Sequence, residues 1–179
     1  YNVDDRYNAM THSFLQSCVE VFTEAPVTLL REHYRCHPKI INFCNQKFYG
    51  GKLIVMTEDH EEPDVLTMYR TAPGNHARDH LNQRQIDVIR LEVLPRLAKQ
   101  GYESIGIITP YRDQVAAIQT QLGKELEVAT VHKFQGREKD AIILTSVDNI
   151  ITKFVDDPRM LNVAVSRAVK SLTVVTSQD

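Results

Sequence analysis

Two arginines stand where a phosphate-sensing site would need them. Arg35 lies in Leu29-Leu-Arg-Glu-His-Tyr-Arg-Cys-His-Pro38, and Arg167 in Leu161-Asn-Val-Ala-Val-Ser-Arg-Ala168. The fixed fork of guanidinium donors suits phosphate oxygens better than a Lys does. An Arg aimed at a γ-phosphate stabilises charge that develops during its transfer, worth roughly 10³- to 10⁵-fold in rate. Between them runs Val128-Ala-Thr-Val-His-Lys-Phe-Gln-Gly-Arg-Glu138. The Glu138 carboxylate can accept hydrogen bonds from ribose hydroxyls, and Gly136, after Gln135, allows close backbone approach. Tyr34 offers an aromatic face to a base. No G-x-x-x-x-G-K-[ST] loop occurs, and Gly50-Gly-Lys52 lacks both the first Gly and the following Ser or Thr. A nucleotide's phosphates must then be cradled by another domain, which leaves this chain as half of a two-domain motor. Each residue alone has a plainer alternative: a surface Arg paired with a carboxylate, a Tyr at the core edge, a solvated Glu in the charge run Arg137-Glu-Lys-Asp140.

Other chemistries find less support. His33-Tyr-Arg-Cys-His37 carries an H-x-x-C-H spacing that fits no standard zinc finger, and no second cluster lies nearby. Cys36 beside His37 is too generic a pair for a nucleophile. The chain has 179 residues with 42% hydrophobic and 25% charged, enough for one domain with a proper core. Its net charge of -2 argues against coating nucleic acid by bulk charge, but leaves room for a local track that grips a few phosphates. The odd count of three cysteines suggests reduced thiols and a cytoplasmic location. No apolar run is long enough for a membrane span, so no membrane partner is expected. Tyr1 is not an initiator, which suggests a fragment of a longer chain.

The elements that must hold these residues follow from periodicity. Phe14, Leu15, Cys18, Val19 and Phe22 recur at helical spacing. Residues 25–30 read as a short strand, and Pro38–Tyr49 as a helix stopped by Gly50-Gly51. Val65–Tyr69 reads as a strand and Thr71–Asn75 as a turn. Asp79–Gln100 reads as a long amphipathic helix with a kink at Pro95 and a stop at Gly101. Strands are expected at Ser104–Thr109, Glu127–Val131, Ala141–Val147 and Ser171–Thr176. Helices are expected from Pro110 to about Leu122 and over 158–169. Strands alternating with helices imply a three-layer α/β domain with a mostly parallel sheet. Ligands in such sheets sit outside the C-terminal strand ends, the expected place for the motif residues.

Taken together, the segments resemble superfamily 1 helicases of the group that includes the nonsense-mediated-decay (up-frameshift) helicases. Glu32-His-Tyr-Arg-Cys-His-Pro38, with Phe43 and Phe48-Tyr-Gly-Gly-Lys-Leu53 downstream, is similar to the family's QYRMHP segment and its downstream F, FY and G.L positions. Ile107-Ile-Thr-Pro-Tyr-Arg-Asp-Gln114 resembles its TPY..Q segment, Thr130–Glu138 its motif V, and Leu161–Ala168 its motif VI. The resemblance covers nearly the whole chain. It implies a second RecA-like domain of the P-loop NTPase type without its own P-loop, with residues 1–26 connecting from a preceding domain. It also implies that Tyr34 flanks the adenine, Arg35 and Arg167 reach the γ-phosphate, and Glu138 holds the ribose beside Gln135 and Gly136. Thr109, Pro110, Tyr111, Thr130, His132 and Lys133 would lie along a single-strand track. His33 stands where many members have Gln, His132 where many have Asp, and Val169 where Lys or Arg is common.

The implied partners are an N-terminal RecA-like domain of the same chain and single-stranded DNA or RNA. The implied cofactor is ATP, with Mg2+ held mainly by that other domain. ATP sealed between the two domains would close the cleft, and hydrolysis would open it. The isolated chain would then be inactive as an ATPase. The alternative is a non-catalytic nucleic-acid-binding or regulatory module on a degenerate helicase fold, or an unrelated α/β domain whose Arg35 and Arg167 do not converge.

Overall fold

A computed structural model describes residues 4–74, 77–150, 152–153 and 155–177. The chain divides into two compact units, residues 1–31 and 32–179. In the first, α1 (Phe14–Val21) starts at a capping box in which Ser13 and Gln16 satisfy each other's backbone N–H groups. None of its residues is buried. The strand expected over 25–30 is absent: these residues are exposed and irregular. Pro26 removes one donor from so short a run, and no neighbouring strand takes up the rest.

The second unit opens with β1 (Glu32–His33), which pairs in parallel with β2 (Ile54–Val55). Between them lies α2 (Pro38–Phe48), with Pro38 in its first turn and His37 as its cap. Gly50 and Gly51 end it at φ of 57° and 75°, backbone that favours Gly. Next come β3 (Leu66–Thr71) and a hairpin of β4 (Ala77–Arg78) and β5 (Leu81–Asn82). The turn expected at Thr71–Asn75 thus begins later, since Thr71 ends β3; Asn75 lies outside the described residues.

The long helix begins at Gln83, not Asp79, because Asn82 accepts from the Gln85 N–H and caps it. It runs as α3 (Gln83–Val88), a π-helical turn over Ile89–Val93, and α4 (Leu94–Lys99). Pro95 has no N–H and crowds the carbonyl one turn back, and the widened turn just before it absorbs the misfit. Ile86, Ile89, Val93 and Leu97 are buried as the periodicity requires.

The rest alternates: β6 (Ile105–Thr109), α5 (Arg112–Leu122), β7 (Glu127–Thr130), β8 (Lys139–Thr145), α6 (Pro158–Val165) and β9 (Ala168–Ser177). Five strands form one wholly parallel sheet in the order β3-β9-β8-β6-β7. One face buries Ile108, Ile142 and Leu172 under α2, α6 and Phe134. The other buries Ile107, Ile143 and Val175 under the long helix and α5. This is the three-layer α/β fold of a RecA-like domain.

Two strands begin earlier than apolar content alone suggests. Lys139 pairs in register with Ala168, followed by a bulge before Ala141. The helix expected over 158–169 therefore stops at Val165, and Ala168 already belongs to the sheet. The loop 131–138 carries the chain from the C-terminal end of β7 back to the N-terminal end of β8. Its anchor is Phe134, fully buried against β6. Gly106 makes this possible: a Cβ there would lie 2.6 Å from Phe134 Cζ and 3.0 Å from Lys139 Cγ.

Candidate nucleotide and polymer sites

The sequence-derived residues divide between opposite ends of the sheet. Glu138 and Arg167 immediately precede β8 and β9, so they stand at the N-terminal strand ends, not outside the C-terminal ends where the general rule put them. The register that pairs Lys139 with Ala168 sets Glu138 beside Arg167, and the Lys139 N–H donates to the Arg167 carbonyl at 3.1 Å. The third segment is tied to the same place. The His37 N–H donates to the Val169 carbonyl at 2.7 Å, and the Cys36 thiol lies 3.5 Å from the Ser166 carbonyl.

These backbone ties bring Arg35, Glu138 and Arg167 together. Arg35 Nε sits 2.5 Å from Glu138 Oε2. Arg167 Nε donates to the Val163 carbonyl at 3.1 Å, Nη1 to the Arg137 carbonyl at 3.4 Å and Nη2 to Ser166 Oγ at 3.1 Å. A guanidinium has five N–H donors, so these bonds hold its plane and leave donors to spare. Burial, and next the nearby charge of Arg35, push the Arg167 pKa down. It remains a cation, because Arg does not deprotonate in proteins. Among the described residues Arg167 has no carboxylate within ion-pair distance. Two guanidiniums thus face a single carboxylate, which suits an anion with several oxygens. The same set does not suit Mg2+, since its one carboxylate already pairs with Arg35.

Tyr34 is exposed, and its hydroxyl donates to the Glu32 carboxylate, which raises its pKa. Its ring faces remain open to a planar ligand. Gln135 and Gly136 are exposed, with Gly136 at φ 83°. Gln135 lines a groove with His132, Asp157 and Arg159, and among the described residues no hydrogen bond joins it to Arg35 or Arg167.

The H-x-x-C-H residues do not converge on a metal point. His33 Nε2 accepts from the Cys36 N–H at 2.9 Å, while burial, then Arg35, lower its pKa. His37 does approach Asp59 and Glu62, with ligand atoms within 4.8 Å of one another. Its Nδ1, however, accepts from the Lys39 N–H at 3.1 Å, so Nε2 carries the proton that points at those carboxylates. Lys39 Nζ also sits 3.1 Å from Asp59. The group is a braced helix cap.

Burial pushes the Cys36 thiol up to about 11 and the Cys44 thiol up to about 12. Neither is a nucleophile near neutral pH. At pH 8 a thiol of pKa about 11 holds roughly 100-fold less thiolate than an ordinary one. In the folded protein, iodoacetamide should therefore label Cys18 at least about 100-fold faster than Cys36 or Cys44, read by peptide mass spectrometry. Cys36 labelling should rise about ten-fold per pH unit above pH 8 and level off only near pH 11. Equal rates at pH 8 would contradict the buried placement.

At the other end of the sheet, Thr109 and Thr130 close β6 and β7 and are register partners. Thr109 Oγ1 is buried without a hydrogen-bond partner. His132 and Lys133 come next in the chain, both exposed. Pro110 and Val131 wall an apolar cavity of about 190 Å³ with Met160 and Val174. The Tyr111 hydroxyl donates to Asp148 Oδ2 at 2.6 Å, and burial and that carboxylate raise it to about 12. Beneath lies a buried amide network. Gln114 Oε1 accepts from the Asn82 N–H at 2.8 Å, Asn82 Nδ2 donates to the Val147 carbonyl at 2.8 Å, and Gln85 Oε1 accepts from the Val147 N–H at 3.0 Å. Gln85 also takes the Thr145 hydroxyl. Sequence reading missed Asn82, Gln85 and Asp148; their partners are remote along the chain, and no local pattern marks them.

Residues 10–179 match the model of a family described as AAA domain. The chain is 32% identical over 169 residues to the mouse 5'-3' DNA helicase ZGRF1, covering 83% of this chain and 9% of that protein. It is 32% identical over 176 residues to the Drosophila melanogaster homolog of regulator of nonsense transcripts 1, covering 82% of this chain and 15% of that one. The chain thus spans a small part of these relatives. In fold it is similar to the C-terminal domain of a possible DNA helicase from Lactobacillus plantarum WCFS1, with a TM-score of 0.57 at 16% identity, covering 80% of this chain and 87% of that one. Among the described residues no helix is long and apolar enough to cross a membrane. The chain belongs to this AAA domain family, among relatives of the nonsense-mediated-decay helicases.

Proposed function

We infer that the chain is the second RecA-like motor domain of an ATP-dependent superfamily 1 helicase. The observation that carries this reading is the convergence of Arg35 and Arg167 at one sheet end, with one carboxylate between two cations. In this reading ATP and its Mg2+ are held by an N-terminal RecA-like domain of the parent polypeptide. Arg35 and Arg167 meet the γ-phosphate when the cleft closes, Tyr34 covers the adenine, and Glu138 exchanges its pairing with Arg35 for the ribose. Thr109, Pro110, Tyr111, Thr130, His132 and Lys133 grip single-stranded DNA or RNA at the opposite end. The two ends are roughly 20 Å apart, the length of a strand of six or seven residues. Loop 131–138 is one continuous connection between them. Hydrolysis removes the γ-phosphate contact, and a ligand shifts such an equilibrium only through its differential affinity for the two states. Three free cysteines, two of them buried, fit an intracellular compartment.

The test is ATP turnover. The chain alone is expected to show none, and the parent polypeptide is expected to be stimulated by single-stranded DNA or RNA. Turnover by the purified chain, lost on Arg167→Ala, would overturn the division of labour. A parent that no polymer stimulates would favour the non-catalytic binding module.

A further inference from the structure

A ring pair stands at the proposed polymer end. The rings of His80 and Tyr111 lie 4.3 Å apart between centroids, tilted by 31°. Tyr111 is half-buried and its hydroxyl is engaged by Asp148, so this ring is fixed from below. His80 is exposed and forms the outer ring.

The backbone fixes His80 in that position. Asp79 and His80, the central residues of the β4–β5 turn, adopt φ of 47° and 61°. Both lie in the left-handed region, as a tight hairpin turn of this type requires and as Asp and His tolerate better than most residues. The foot of the hairpin is Asn82, 1% exposed, whose backbone and side chain both enter the buried amide network with Gln114, Gln85 and the Val147 carbonyl. Tyr111 and Asp148 come just after the ends of β6 and β8, so the network fixes the hairpin to the same strand ends that carry Thr109 and Pro110. Arg78 and Arg112, both exposed, are near neighbours of the two rings along the chain. An exposed ring on a braced foot, with exposed cations close along the chain, suits a single strand. The ring supplies a sequence-tolerant stacking surface, and cations meet the phosphates.

The geometry points to the β4–β5 hairpin as an additional single-strand contact, with His80 as the ring that stacks on a base and Tyr111 as its support. This rests on the polymer-gripping reading above. It assigns the outermost base contact to His80 rather than to Tyr111. Stacking neutralises no phosphate and releases no counterion, so it differs from a phosphate contact in its salt dependence.

The experiment is fluorescence anisotropy with labelled oligo-dT and oligo-U, using the parent polypeptide as wild type, His80→Ala, His80→Trp and Lys133→Ala at several salt concentrations. His80→Ala is expected to weaken binding about five-fold or more, with the slope of log affinity against log salt unchanged. His80→Trp is expected to restore affinity to the wild-type level or above. Wild-type affinity in His80→Ala, together with weakened binding in Lys133→Ala, would overturn the hairpin assignment and leave the polymer reading standing. A salt slope reduced by about one in His80→Ala would overturn stacking in favour of a phosphate contact. Failure of the wild type to bind either oligomer would overturn both readings.

Discussion

Replacing Arg167 with Ala is expected to cut the polymer-stimulated ATPase of the parent polypeptide by about 10³- to 10⁵-fold in kcat. The KM for ATP should change far less, because the contact belongs to the closed state in which charge moves onto the γ-phosphate. The expectation rests on how the side chain is held. Three of its donors are fixed by the Val163 and Arg137 carbonyls and by Ser166 Oγ, which orients the plane before any nucleotide arrives. A preoriented dipole or charge needs no reorganisation in the transition state. Arg167→Lys should recover little, since a point charge on a flexible stem cannot reproduce the fork. Arg167 also bonds a carbonyl in the last turn of α6, so part of any loss could come from a frayed helix end. Thermal unfolding separates the two causes: the rate should collapse while Tm moves by only a few degrees, in line with roughly 1 kcal/mol for such bonds. A large drop in Tm with a proportionate loss of rate would mark Arg167 as structural.

Phe134→Ala is expected to be the most destabilising single change in the second unit. Among the described residues Phe134 is the largest fully buried side chain, and it holds loop 131–138 against β6. Truncating a buried Phe costs about 3–5 kcal/mol, the lost transfer energy plus the cavity left behind. For a domain of this size that lowers Tm by roughly 6–20 °C. The cavity cannot collapse easily. Gly106, directly below, has no side chain to fill it, and its strand, β6, is paired on both sides. Scanning calorimetry checks the shift; a change below about 2 °C would contradict the tight contact with Gly106. The same loop joins Thr130 at one end of the sheet to Glu138 at the other. The variant should therefore lose polymer stimulation of its ATPase even at temperatures where it remains folded.

The periodic elements were legible because burial leaves a pattern. Ile107 and Ile108 face opposite sides of a sheet covered on both, and Ile86, Ile89, Val93 and Leu97 mark one helix stripe. Element ends were not legible where tertiary pairing overrides content. Lys139 and Ala168 enter the sheet through backbone hydrogen bonds and a bulge, with no apolar signal to announce them. Those two boundaries decide where the site lies. With β8 begun at Ala141 and a helix continued through residue 169, Arg167 falls inside a helix. With the observed register it stands at a strand entrance beside Glu138. The residue types at the arginine site could be read from the sequence, but their place on the sheet could not. The His80–Tyr111 pair and the Asn82–Gln114 network are still further from sequence reading, because each joins segments with no shared periodicity. Residues 25–30 show the opposite error. Their apolar content suggests a strand, but no neighbour offers a ladder.

The most direct test is whether Arg35 and Arg167 sense the γ-phosphate. The parent polypeptide can be labelled with a fluorescence donor on this domain and an acceptor on the preceding one, and energy transfer measured with ADP and with a non-hydrolysable ATP analogue. The expected result is closure with the ATP analogue and not with ADP in the wild type, and no difference between the two nucleotides in Arg35→Ala/Arg167→Ala. A double variant that closes on the ATP analogue as fully as the wild type would contradict the assignment of these arginines.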